Sequence, residues 1–457
     1  MTKRPRLLRS LLVVALLALF LGACSPARPG LALAPSPESA HPLSTQPLEE
    51  RLRAHVAYMA SDACEGRLVG TDGDKMAASY VVDELKRIGA SPLWKSGYLQ
   101  EFEVSNQADI DARLELLGDN RSVARSFTYF TDFSEVLYPI WGMSLAEGKI
   151  AVVTPGAADF LLTEGSVALA RLASEDMQDL ILSAMAAKCA AVLICDAGLP
   201  ADALPLKYMN RVPADVPFPV FTVQPKCYSA LAAKEGTVVR LTVMSQGIPA
   251  KQGWNVAGVL GNPSKQKTVV LCAHRDHMGT LADGTMFPGA IDNASGVSVV
   301  LEMARQLRDA RLDLAVVFLF TDSEEVGLDG ALYFAENPPF PEKNLSVVLN
   351  LDCVGVHSQD FMELNAGGGD AALVLADLVV AELSKEGIPA ALTDEPLASD
   401  HQAFEAAGFP AIGLLSSVDS FIGHLHNASD TVDAVDPAKL AAITRALAKA
   451  LTAGASN

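Results

Sequence analysis

The sequence predicts an α/β fold, with a mostly parallel mixed sheet flanked by helices on both faces and a small α/β domain inserted into it. Three observations carry that expectation. After Trp254, short apolar runs alternate regularly with amphipathic helical stretches. The runs themselves, such as "TVVLCAH" and "LSVVLNLD", are almost continuously apolar, as strands covered on both sides must be. Between Ala108 and Ile248 the texture changes to short β-rich runs without a single histidine, which sets that stretch apart. At 457 residues, half of them hydrophobic, the chain is long enough for two folded units with sizeable cores.

In chain order, "MTKRPRLLRSLLVVALLALFLGACSPARPG" opens with basic residues, an apolar stretch from Leu11 to Leu21 and then small residues. This reads as an export signal over residues 1–23, and Leu21-Gly22-Ala23-Cys24 resembles a bacterial lipobox in which Cys24 is lipidated. Residues 24–47, rich in Pro, Ala and Ser, read as a flexible tether. The anchor would hold the protein to a membrane of the bacterial cell envelope, facing the periplasm, with Ser25 pointing to the outer membrane; secretion is the alternative. Residues 48–107 begin the main domain, and in them "GDKMAASYVVDELKRI" has helical apolar spacing closed by Gly89. Residues 108–248 form the inserted domain, with strands expected at "KIAVVTP", "AAVLICDAG" and "PFPVFTV". Residues 249–457 complete the main domain with the alternating strands and helices.

The formal charge of −19, from 54 acidic and 35 basic residues, is spread along the chain and repels polyphosphate, so nucleic acid is excluded as a partner. Beyond Cys24 there are six cysteines and no CxxC pair, which argues against a cysteine-ligated metal or a dithiol redox site. Their apolar surroundings predict buried thiols.

Ligands of parallel sheets bind at the carboxyl ends of the strands, and there the polar residues recur. "VVLCAHRDHMG" ends its strand in His274, with Asp276 two residues on, and "PGAIDNASG" sets Asp292 in a glycine-flanked turn opening a helix. "FLFTDSEEVGLDG" supplies Glu324 and Glu325, "VVLNLDCVG" ends in Asp352, and "GHLHNASDT" presents His426. Each alone reads as a cap or a structural histidine. Together, His274, Asp292, Glu325, Asp352 and His426 make a mixed imidazole and carboxylate set suited to zinc.

These pieces, with "SDHQAFEAAGFP" and the upstream "MASDACEGRLVGTDGDKMAASYVVDELKRIG", resemble the co-catalytic zinc aminopeptidases of peptidase family M28 over most of the mature chain. The resemblance implies a fold of the zinc-peptidase, phosphorylase/hydrolase-like kind, and a protease-associated domain at 108–248. It implies two zinc ions bridged by Asp292, with His274 and Asp352 completing one site and Glu325 and His426 the other. Asp276 would accept a hydrogen bond from the His274 ring, the Asp292–Asn293 peptide would be cis, and Glu324 would be the general base for a metal-bridging water that attacks peptide substrates at their amino-terminal residue. Arg275 and Ala331 depart from the family pattern and put the shape of side pockets in question. Asp400 and His401 receive no role, and His277, His357 and His424 are taken as structural or solvent-facing. A carboxypeptidase or glutaminyl cyclase on the same site, or a non-catalytic binding lipoprotein on the same fold, remain the alternatives; oligomeric state is not legible.

Overall fold

The computed structural model describes residues 46–454, apart from 105–107, 130, 136–141, 154–161, 174–175, 198–217, 248–250, 281–283, 311, 359–360 and 395–397. The expected export signal, Cys24 and all but the last two residues of the tether lie outside the described residues.

A nine-stranded mixed sheet forms the main core. Its centre is parallel: Thr268–His274 lies between Ala315–Thr321 and Leu345–Asp352, and Ala411–Ser416 follows beyond Leu345–Asp352. Thr268–His274 and Ala315–Thr321 are buried at every position, which explains their unbroken apolar sequence. Antiparallel strands flank this centre. Lys251–Leu260 pairs with Ala315–Thr321 on one side, and Met362–Gly367 pairs with Ala411–Ser416 on the other. Periodicity did not predict these flanking strands, because "KQGWNVAGVL" and "MELNAG" are interrupted by glycine and polar residues.

Helices cover both faces. Leu48–Met59, Asp72–Ile88, Gly296–Leu307 and Pro437–Gly454 pack together on one side. On the other, Asp329–Glu336 and His401–Ala406 bring Phe334 and Phe404 into a cluster with Val270, Cys272, Val317, Leu319 and Val348. Each such side chain, fully buried, contributes about 1.5–3 kcal/mol of burial energy. The expected helix near residue 73 runs from Asp72 to Ile88; Thr71 caps it by accepting from the Asp74 amide, and Gly89 closes it at φ 88°. Both ends therefore follow local chemistry.

The strands between Ala108 and Gly247 form a second, eight-stranded sheet with apolar clusters of its own on Leu114, Leu169, Leu193 and Leu241 and on Leu180, Ile181 and Val192. The main sheet is left at Leu99–Val104 and re-entered at Lys251–Leu260, and these two strands are antiparallel neighbours with Val104 opposite Lys251.

Candidate active site

The parallel strands end level with one another, His274 opposite Thr321 and Asp352 opposite Leu415, so the turns that follow them converge. Asp292 lies in an irregular turn, Ala290–Ser295, ahead of the helix Gly296–Leu307, and the Asp292–Asn293 peptide is cis, as the resemblance implied. His426 follows the short helix Val418–Phe421, at φ 47°.

The five candidate ligands meet there. His274 Nε2 lies 3.3 Å from Asp292 Oδ1 and 3.3 Å from Asp352 Oδ1. His426 Nε2 lies 3.3 Å from Asp292 Oδ2 and 2.9 Å from Glu325 Oε2. The two oxygens of one carboxylate thus face two separate groups of donors. Donor atoms of His274, Asp292 and Glu325, and of His274, Glu324 and Asp352, lie within 4.8 Å of one another. Six carboxylates, those of Asp276, Asp292, Glu324, Glu325, Asp352 and Asp400, crowd around three histidines. Buried carboxylates at this density require cations, and mixed oxygen and imidazole donors suit zinc.

Charge governs protonation here. Burial opposes charging of His274, yet Asp352, Glu324, Asp276 and Asp292 outweigh it and hold its pKa well above the usual value. Burial raises Asp292, but bonds from His274 and His426 and the nearby His277 pull it well below the carboxylate range. Glu324 goes the other way: burial, then the charges of Glu325, Asp352 and Asp400, outweigh His274 and push it well up.

Second contacts fix the donors. Ser399 Oγ donates to Asp352 Oδ2 at 2.7 Å and accepts from Asn350 Nδ2 at 2.7 Å, leaving Oδ1 toward His274. Asp276 differs from the expectation. Its Oδ1 is 3.7 Å from His274 Nδ1, longer than a hydrogen bond, and its two oxygens accept from the backbone N–H of Glu324 at 3.1 Å and of Glu325 at 3.2 Å. Beyond standing beside the His274 ring, it pins the turn that presents the two glutamates.

Five residues gain roles that the sequence did not reveal. Arg67, fully buried, donates all five of its N–H groups to carbonyls: Arg275, Met59, Pro288, Gly289 and Asp292. It thereby clamps the His274 turn to the Asp292 turn. Gly66, at φ 69°, lets this segment approach, since a Cβ there would strike the Gly279 carbonyl. From the other side Asp430 accepts from the amides of Ile291 at 2.7 Å and Asp292 at 3.1 Å, and burial pushes its pKa up to about 7. Arg275 is buried against Asp74 and, at 2.7 Å, Asp322. His277 is neither peripheral nor solvent-facing: it is fully buried, with Nδ1 2.6 Å from Glu325 Oε1. All lie within segments already singled out, Gly66 and Arg67 in "MASDACEGRLVGT", Arg275 and His277 in "VVLCAHRDHMG" and Asp430 in "HNASDT", yet nothing in those segments gave them these partners.

The remaining positions also have places. His357 is exposed near Asp436, and His424 bonds Ser429 at a half-buried surface. Ala331 sits in the apolar core. Asp400 is buried and accepts from Thr321 Oγ1, with burial raising its pKa to about 7. Burial lowers His401 to about 4. The six cysteines after Cys24 are buried free thiols, as expected.

The chain is similar to known proteins over much of its length. Residues 255–451 match Peptidase family M28. The chain is 25% identical to the probable lipoprotein aminopeptidase LpqL of Mycobacterium tuberculosis over 95% of its own length and 92% of the relative's. It is 24% identical to the aminopeptidase YwaD of Bacillus subtilis, over 82% and 78%. Among solved structures, BSAP, a zinc aminopeptidase from Bacillus subtilis, superposes with a TM-score of 0.65 at 19% identity, covering 88% of this chain and 94% of that one. The aminopeptidase from Aneurinibacillus sp. strain AM-1 has a TM-score of 0.60 at 20% identity, over 88% and 92%. At such identities these two likenesses establish the fold.

Proposed function

We propose, from the match of residues 255–451 to Peptidase family M28 and from the site's geometry, that the protein is a di-zinc aminopeptidase that removes amino-terminal residues from peptides. One observation carries the reading: Asp292 turns Oδ1 toward His274 and Oδ2 toward His426, as a carboxylate shared by two cations would. His274, Asp352 and Asp292 Oδ1 would hold one zinc ion, and Glu325, His426 and Asp292 Oδ2 the other. When bound, the pair supplies the Lewis acidity that lowers the pKa of water and polarises a scissile carbonyl.

Glu324 is left to move the proton. It lines the site without being assigned to either ion, and Asp276 holds its backbone amide. As a carboxylate beside the metal pair it can accept a proton from the attacking water and pass it to the departing amine. Glu324→Gln should keep two zinc ions per chain and lose about 10²–10⁴-fold in turnover of aminoacyl chromogenic amides. Undiminished hydrolysis would sink the assignment, and cleavage of N-acetylated substrates would sink the aminopeptidase reading.

The names of the relatives support the finer parts of the proposal. A lipoprotein relative of nearly the same length supports export and an acyl anchor at Cys24. The separate sheet over Ala108–Gly247 supports reading residues 108–248 as an inserted module of the protease-associated kind.

A further inference from the structure

We propose that His277 is a positioning residue that orients Glu325 for one of the two zinc ions; the proposal rests on the zinc reading above. The two oxygens of Glu325 are divided. Oε1 is 2.6 Å from His277 Nδ1, and Oε2 is 2.9 Å from His426 Nε2, on the side of the cluster that includes Asp292 Oδ2. The His277 and Glu325 side chains are 0% and 2% exposed, so no water competes for this contact.

The distance decides between two roles. Two donors at about 2.0–2.1 Å on one tetrahedral zinc stand about 3.3 Å apart. At 2.6 Å, further below that separation than the 2.9 Å between Glu325 Oε2 and His426 Nε2, the His277 contact fits a hydrogen bond better than a second ligand on the same ion. Because Glu325 is acceptor-only when ionised, the imidazole N–H lies on Nδ1 and donates. With Oε1 so engaged, Glu325 presents Oε2 alone to the metal. Removing the donor frees the carboxylate to rotate, and the cost falls on the ion that Glu325 holds.

The ring is held in turn. The His277 backbone N–H donates to the Arg67 carbonyl at 3.1 Å, and Gly289, at φ 62°, lies so close that a Cβ there would meet the imidazole. The His277 and His426 rings stand 5.9 Å apart at 61°. So held, the imidazole turns Nδ1 to Glu325 Oε1 at 2.6 Å, with Asp292 Oδ2 farther off at 3.8 Å.

The test is a chelator-competition titration of zinc on wild type, His277→Leu and His277→Asn, with thermal melts of each zinc-free protein. Wild type should bind two ions. His277→Leu should keep one at wild-type affinity and bind the other about 10–100-fold more weakly, the usual loss when a partner of a metal ligand is removed. His277→Asn places an amide N–H near the Nδ1 position and should recover most of that affinity. Two outcomes overturn the proposal while leaving the zinc reading intact: His277→Leu holding both ions as wild type does, or both variants losing both ions together with a collapsed melt. A wild-type protein that binds no zinc overturns the zinc reading and this proposal with it.

Discussion

At the residue scale, the five donors of Arg67 tie the His274 turn to the Asp292 turn. His274, Asp292, Glu324, Glu325, Asp352 and His426 read singly as caps or structural histidines, and it is their recurrence at successive strand ends, where buried charge is costly, that singles them out. Arg67 gives no such signal. In sequence it is one basic residue in a polar loop, and its role exists only because Arg275, Pro288, Gly289 and Asp292, all more than 200 residues away, turn their carbonyls toward it. Arg67→Lys should show what the fork supplies. Lysine offers three donors against five, so at least two charge-assisted hydrogen bonds go, at about 1.5–3 kcal/mol each. A loss on the order of 3 kcal/mol or more in denaturant titration is expected; a difference under about 1 kcal/mol would mean that an ammonium serves the same carbonyls.

At the scale of elements, the central strands and the helices after them were readable from periodicity, since strands buried on both faces leave no polar alternation to misread. The flanking strands were hidden, because Lys251–Leu260 carries Gly253, Asn255 and Gly258, which a local pattern reads as loop. What ties that strand to its neighbours is also non-local. Arg275 donates to the Trp254 carbonyl at 2.7 Å and is paired with Asp74 at the start of the helix Asp72–Ile88 and with Asp322 after the strand Ala315–Thr321. Asp322 in turn accepts from the Trp254 amide at 2.8 Å. Arg275→Met would leave two carboxylates buried without their cation, a loss of about 3–5 kcal/mol. Chemical denaturation should register it, and an unchanged midpoint would show that the carboxylates find other partners.

At the scale of the whole molecule, helix packing carries its own ionic centre away from the catalytic turns. Glu302, fully buried in the helix Gly296–Leu307, accepts from Arg51 at 2.6 Å and from His55 at 3.2 Å, both on the helix Leu48–Met59, and from Arg305 at 3.1 Å. Burial raises its pKa, but the bonds from His55 and Arg51 outweigh burial and bring it down to about 2 from an ordinary 4.5. A carboxylate depressed in the folded state stabilises the fold above its unfolded pKa, and that stability is lost as pH falls through the folded value. Glu302 therefore contributes on the order of 3 kcal/mol at neutral pH, which disappears between about pH 4.5 and pH 2. Melting curves across that window should fall more steeply for wild type than for Glu302→Gln; parallel curves would show that the charge is not coupled to folding.

The pairing of Val104 with Lys251 has an architectural consequence. A chain running directly from one to the other through a tight turn would be an ordinary β-hairpin in the main sheet, and every other strand would keep its neighbours. The excursion between them is in this sense a cassette: it can lengthen, shrink or be exchanged by recombination without re-threading the catalytic core, since both of its ends leave from the same point on the same edge-to-edge pair.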